Sequence, residues 1–157
     1  MKKIALIAVI GLFAMSCKKW ENRSTEFKVT GVWTGVNQEF QIQALPFLDS
    51  NDVTPTTNTE ANFGEDGSLI IDSAGVQLDS LGWSIKNDSI LVLEGLDLGV
   101  DNPLGGGSLT PNNLEFSILR LTKEELTFRY DTTLSLTFPG IPIPVNVTVK
   151  QIQRWGK

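Results

Sequence analysis

Cys17 is the only thiol in the chain, and there is no histidine at all. Those two facts decide most of the available chemistry. Without histidine the commonest general base, the usual catalytic triad and the commonest metal ligand are missing. A cysteine acts as nucleophile or metal ligand only as a thiolate. The setting of Cys17 points elsewhere. It follows Lys2-Lys3, the apolar run Ile4 to Met15, and Ser16. A basic start, a short greasy stretch and a small residue make up an export signal. The apolar run falls short of the roughly 20 residues that a bilayer-spanning helix needs. Residues 1–16 therefore read as a signal peptide, 17–25 as a polar tether, and 26–157 as one domain.

The other candidate groups are weaker. Asp49 with Asp52, and Asp97 with Asp101, supply loop carboxylates, but calcium needs 6–8 oxygens in a defined loop, and no EF-hand spacing is present. Glu124 and Glu125 are adjacent, so on a strand their side chains point to opposite faces. Gly105-Gly106-Gly107 has no following Lys-Ser/Thr and no helix, so it reads as a flexible loop and not a phosphate cradle. A serine nucleophile would need a lysine base, and Lys86 is the mid-domain candidate. The sequence thus offers no catalytic residue, no metal ligand set and no cofactor motif, and an enzyme is not expected.

Thirteen basic residues face eighteen acidic ones, a net charge of −5. Loss of Lys2 and Lys3 with the signal leaves eleven against eighteen, or −7. An acidic domain is a poor partner for nucleic acid, whose binding rests on neutralising phosphates. Lys18, Lys19 and Arg23 form a short positive patch just after the cysteine, suited to a solvated tether beside lipid headgroups.

The elements that would position these groups are strands. Period-two alternation recurs between turn residues over most of the domain. Phe27, Val29, Gly31, Trp33 and Gly35 fall on one face of an expected first strand. Residues 43–58 then read as a long irregular loop. Strands follow at 59–63 and 68–72, joined through Gly64-Glu65-Asp66-Gly67, a hairpin signal because glycine tolerates positive φ. Strands at 81–85 and 90–93 are joined through Asn87-Asp88, which accept the left-handed conformation. A second loop spans 95–113. Strands at 114–121 and 126–138 come next; in the latter Leu126, Phe128 and Tyr130 alternate with Thr127, Arg129 and Asp131. Pro139 to Pro144 read as a stiff connection to a last strand from Val145. About eight antiparallel strands, joined mostly as neighbours, predict an all-β, up-and-down barrel. A β-sandwich satisfies the same pattern.

Two resemblances add to this. Ala14-Met15-Ser16-Cys17 resembles the lipobox at which bacterial lipoproteins are acylated on cysteine and cleaved. From Gly31-Val32-Trp33 onward the chain resembles the lipocalins, and more closely the lipocalin-like lipoproteins of the Bacteroidetes. The resemblance rests on the early Gly-x-Trp, the Glu65-Asp66-Gly67 hairpin, Gly82-Trp83 running into Asp88, the Leu121 to Leu126 step, and Arg154 near the end of the last strand. It implies that Trp33 plugs the closed end of the barrel, that Gly31 lets the backbone pass close under the indole, and that Arg154 packs on the ring. It also implies a lid over the open mouth at the 43–58 loop, where Leu45, Phe47 and Leu48 could cover an apolar ligand.

Two functions follow as expectations. One is a lipid-anchored envelope lipoprotein whose barrel holds a small hydrophobic ligand. The other is a non-catalytic structural or interaction lipoprotein with a filled barrel and a protein partner in the envelope. A cavity of about 300 Å³ or more inside the barrel would favour the first, and a filled interior the second. Anchoring is expected in the outer membrane, because Lys18, not Asp, follows the cysteine. Lys19-Trp20-Glu21 matches a surface-export pattern only in part, so the periplasmic and surface faces both stand.

Overall fold

The computed structural model describes residues 20–44, 46, 48–96, 113–136 and 144–157. Their complete elements are one short helix, α1 (Thr25–Val29), and nine strands. The strands are β1 (Gly31–Ala44), β2 (Leu48–Pro55), β3 (Thr59–Phe63), β4 (Ser68–Ser73), β5 (Val76–Lys86), β6 (Ile90–Glu94), β7 (Asn113–Leu121), β8 (Glu125–Leu136) and β9 (Val145–Gly156). All pairings are antiparallel. β1 and β3 to β9 pair as sequence neighbours, and β1 also pairs with β9. That closes an eight-stranded up-and-down barrel and removes the sandwich alternative. β2 is an extra strand, paired with β1 alone from Asn37↔Pro55 to Ala44↔Leu48.

Two expectations are corrected at the start of the domain. Phe27 and Val29 are not on the first strand; they belong to α1. The Ser24 side chain caps this helix by accepting from the Phe27 amide, with Glu26 in the first turn and Lys28 in the last. The charge placement suits the helix dipole. Gly31, at φ +114°, then turns the chain into β1, a conformation that strains any residue with a Cβ. The second correction concerns 43–58. β1 runs on to Ala44 and β2 returns beside it, so most of the expected loop is a β-hairpin. β5 also starts earlier than its apolar alternation indicated, at Val76, with a bulge where Ile71↔Asp79 gives way to Asp72↔Gln77.

The two predicted tight turns are present. Gly67 has φ +82°, and the Gly64 amide donates to the Ser68 carbonyl at 2.7 Å. Asn87 and Asp88 both have positive φ, 53° and 56°.

Strand length divides the molecule into two levels. β3 and β6 have five residues each, whereas β1, β8 and β9 have 14, 12 and 12. The short strands make a squat barrel. β1, β8 and β9 outrun it, and β2 joins them, as a projecting four-stranded wall in the order β2-β1-β9-β8. Inside the barrel sits the main core, with Trp33, Phe63, Trp83, Phe116 and Phe128 all at most 5% exposed. Phe63 meets Trp83 edge to face at 5.3 Å, and Phe116 meets Phe128 at 5.2 Å. Each such side chain contributes about 1.5–3 kcal/mol by burial, and the edge-to-face pairs add about 0.5–1.5. On the wall, Ala44, Val145, Val147 and Val149 form a second cluster with Phe40 and Ile42.

One irregularity links the two levels. The β1–β9 register shifts between Gly35 and Asn37, so Val36 is an extra residue. A one-residue slip flips every later side chain to the other face. Trp33 and Gly35 face in before the bulge; Gln38, Phe40 and Ile42 face in after it, opposite Gln153, Gln151 and Val149.

Candidate functional site

The closed end is built by α1, Trp33 and the end of β9. Trp33 is fully buried, and its Nε1 donates to the Val29 carbonyl at 2.6 Å. That bond satisfies one of the last carbonyls of α1, which have no partner within the helix. The helix is held beneath the barrel by Thr25, whose hydroxyl donates to the Asp88 carbonyl at 2.8 Å. Upstream, Lys28 Nζ donates to the Glu21 carbonyl and lies 5.2 Å from the Trp20 ring centroid, so the segment from Trp20 folds against α1. That revises the expected tether of 17–25 at its far end.

The cation over Trp33 is not Arg154. Lys157 Nζ lies 4.2 Å from the Trp33 ring centroid. Arg154 instead donates to Asn37 Oδ1 at 2.9 Å and pairs with Glu39 at 3.5 Å. The reason is parity: Trp155 faces the core, so its neighbour Arg154 faces out, and Lys157 returns inward. A Cβ on Gly31 would meet only the end of the Lys157 side chain, at an ordinary 3.5 Å, so what calls for glycine there is its φ of +114°.

The residues expected to form a lid at the open end are described only in part. Leu45 and Phe47 lie outside the described residues. Leu48 begins β2 opposite Ala44 and is 46% exposed. β2 is exposed along its whole length.

A cavity of about 240 Å³ opens at the mouth, lined by residues that include Gln38, Thr56, Thr59, Ile71, Gln153 and Trp155. It exists because the chain kinks at Thr56 to Asn58 between β2 and β3, with the Thr56 amide held on the Val36 carbonyl at 3.3 Å. Gln153 Oε1 accepts from Trp155 Nε1 at 3.3 Å. One inward step further along β9, Gln151 is 95% buried and its Oε1 has no partner among the described residues. Gln38, Gln151 and Gln153 thus form a polar layer between the two apolar clusters. Period-two alternation missed it, because glutamine on an inward position reads as a break in the core. A second concavity, of about 380 Å³, lies by the β4–β5 turn among Thr57, Asn58, Glu60, Asp72, Ala74 and Gly75.

The carboxylate candidates do not converge. Asp49 and Asp52 lie on opposite faces of β2, and both are exposed. Glu124 and Glu125 belong to the β7–β8 corner, where their amides donate to Thr122 Oγ1 at 3.2 and 2.9 Å. Glu125 pairs with Arg120 at 3.0 Å. Lys86 is on the outer surface, paired with Glu115 at 2.7 Å. Cys17, Asp97, Asp101, Gly105 to Gly107 and Pro139 to Ile143 lie outside the described residues. Among the described residues, no group of three or more acidic, histidine or cysteine side chains is placed to hold a metal ion.

No protein-family model matches this sequence, and no curated protein matches it.

Proposed function

We propose that this chain is a lipid-anchored, non-catalytic envelope lipoprotein whose lipocalin-like barrel serves as a solid docking unit. The single observation behind this choice is the filled interior: Trp33, Phe63, Trp83, Phe116 and Phe128 occupy the space that an apolar cargo would need. The mouth cavity, at about 240 Å³, falls below the roughly 300 Å³ at which drug-sized ligands are enclosed, and the larger concavity of about 380 Å³ lies among mainly exposed turn residues outside the barrel. Anchoring is supported by the basic-apolar-small-Cys17 order of the N-terminus. The outer membrane is favoured because Lys18 follows the cysteine.

The projecting wall gives such a unit its contact surface. β2 has one edge unpaired among the described residues, and Val53 is 54% exposed there. A photoreactive residue placed at Val53 in intact cells should capture one recurrent envelope protein. Capture of abundant bystanders alone would count against docking.

A second reading, ligand binding, keeps one observation in its favour, the mouth cavity itself. Native mass spectrometry of protein purified from its own envelope tests it: a bound small molecule of constant mass is expected on this reading, and bare protein alone contradicts it.

A further inference from the structure

The segment that leads into the barrel carries a charge of opposite sign to the rest of the domain. Residues 18–30 hold four basic and two acidic side chains, a net +2, whereas 31–157 hold seven and sixteen, a net −9. In the described part of that segment the cations stand beside aromatic rings. The Arg23 guanidinium lies 4.7 Å from the Phe27 ring centroid, and Lys28 Nζ lies 5.2 Å from that of Trp20. Phe27 is 49% exposed, and Arg23 is exposed as well. Aromatic rings flanked by Lys and Arg suit the boundary of a bilayer, where the ring meets the acyl edge and the cation meets phosphate.

Chain length decides which end of the domain approaches lipid. Trp20 is three positions after Cys17, and three residues reach at most about 11 Å. Trp20 is itself fastened near the base. Its carbonyl accepts from the Arg23 amide at 3.1 Å, Lys28 Nζ donates to the Glu21 carbonyl at 3.0 Å, and Thr25 ties α1 to the Asp88 carbonyl. From α1 the 14 residues of β1 run away from the base, on the order of 40 Å of extended strand. A lipid on Cys17 therefore holds α1 at the bilayer and leaves the projecting wall standing off it. Laying the barrel on its side would bring its acidic strands against anionic headgroups, which repel them. The turns that share the closed end hold Glu65, Asp66, Asp88 and Glu124 against Lys123, so the contact is confined to α1 and the residues just before it.

We infer that Trp20, Arg23, Phe27 and Lys28 form a membrane seat, which rests on the anionic phospholipid headgroups of the bilayer that holds the Cys17 lipid. The barrel stands base down on this seat, and the free edge of β2 is carried away from the lipid, where a protein partner can reach it. This orientation rests on the lipid-anchoring reading above and adds to it the face that touches the membrane.

The test uses the lipidated protein in vesicles of phosphatidylethanolamine with about one quarter phosphatidylglycerol and a lipid bearing a headgroup nitroxide. A bimane fluorophore is attached at Asn22→Cys or at Val53→Cys, both exposed positions; the acylated Cys17 does not react. Val53 pairs with Glu39, about 26 Å along β1 from Gly31, so Asn22→Cys should be quenched at least about threefold more strongly. Arg23→Glu combined with Phe27→Ser removes a cation and a ring from exposed positions, and should lower the Asn22→Cys quenching about twofold while the protein still floats with the vesicles. The comparison of the two positions stands without that variant. Equal quenching at both positions, stronger quenching at Val53→Cys, or an unchanged signal in the folded double variant overturns the seat. Flotation separates the two claims. A chain that does not float with the vesicles contradicts anchoring, and the seat falls with it; a chain that floats with Val53 at the lipid contradicts the seat alone.

Discussion

Lys157 Nζ stands 4.2 Å from the centre of the Trp33 ring, on an indole whose N–H is tied to the Val29 carbonyl at 2.6 Å. The end of α1, the start of β1 beside it in sequence, and the distant Lys157 just after β9 are joined at that one side chain. The base of the barrel is therefore a locked plug.

Lys157→Ala should destabilise the fold by about 0.5–2 kcal/mol, the usual range for a cation over an aromatic face. Burial lowers the Lys157 pKa, which works against the ring and argues for the lower half of that range. Arg154→Ala should cost less, about 0–1 kcal/mol, because its pair with Glu39 is 38% and 25% exposed. Urea denaturation of the two variants checks the order. A larger loss in Arg154→Ala would return the capping role to Arg154.

Gly35→Ala tests the kink that makes the mouth. A Cβ on Gly35 would lie 2.5 Å from the Thr56 carbonyl oxygen and 2.7 Å from its hydroxyl. Backbone cannot yield as a flexible side chain does, so overpacking of about 1–3 kcal/mol is expected. Amide chemical shifts should change at Thr56 to Thr59 and hardly at all in β6 and β7. A neutral Gly35→Ala variant would mean that the kink is not seated on β1.

Asp66 gives the fold an acid dependence. The Ser68 hydroxyl and amide both donate to its carboxylate, at 2.6 and 3.0 Å, and hold its pKa below the ordinary value. A depressed carboxylate stabilises the fold above its unfolded pKa of about 3.9 and loses that contribution as pH falls through the folded value. Ser68→Ala removes the largest cause, so the Asp66 pKa should rise toward the ordinary value and the acid slope should flatten. A carbon-detected NMR titration of the Asp66 carboxyl measures this, and an unmoved pKa in Ser68→Ala would contradict it.

How far the sequence announced this arrangement varies with the element. β8 was legible because Leu126, Phe128 and Tyr130 are buried and alternate with polar neighbours, so the packing itself wrote the period. β2 was not: Leu48 to Pro55 is exposed throughout, and its place is set by main-chain bonds to β1 that leave no apolar pattern. α1 has five residues, too few for a helical period to repeat. The bulge at Val36 reverses the faces of β1, so reading Trp33 and Gly35 forward puts the wrong side of Asn37 to Ala44 indoors. The capping lysine was within reach, since parity from Trp155 selects Lys157 over Arg154. The glutamine layer was hidden for a physical reason: inward polar residues are what a core pattern filters out, yet Gln38 and Gln153 line the mouth.

The measurement that bears most directly on the proposed function is the membrane partition of Cys17→Ser. Cells making the unaltered protein are labelled with a clickable fatty acid, and membrane and soluble fractions are compared with those of the variant. The unaltered chain should be labelled and membrane-bound. The variant should carry no label, and should either be released or stay unprocessed at its higher mass. A Cys17→Ser chain that is cleaved at the normal position and remains in the membrane fraction would contradict lipid anchoring.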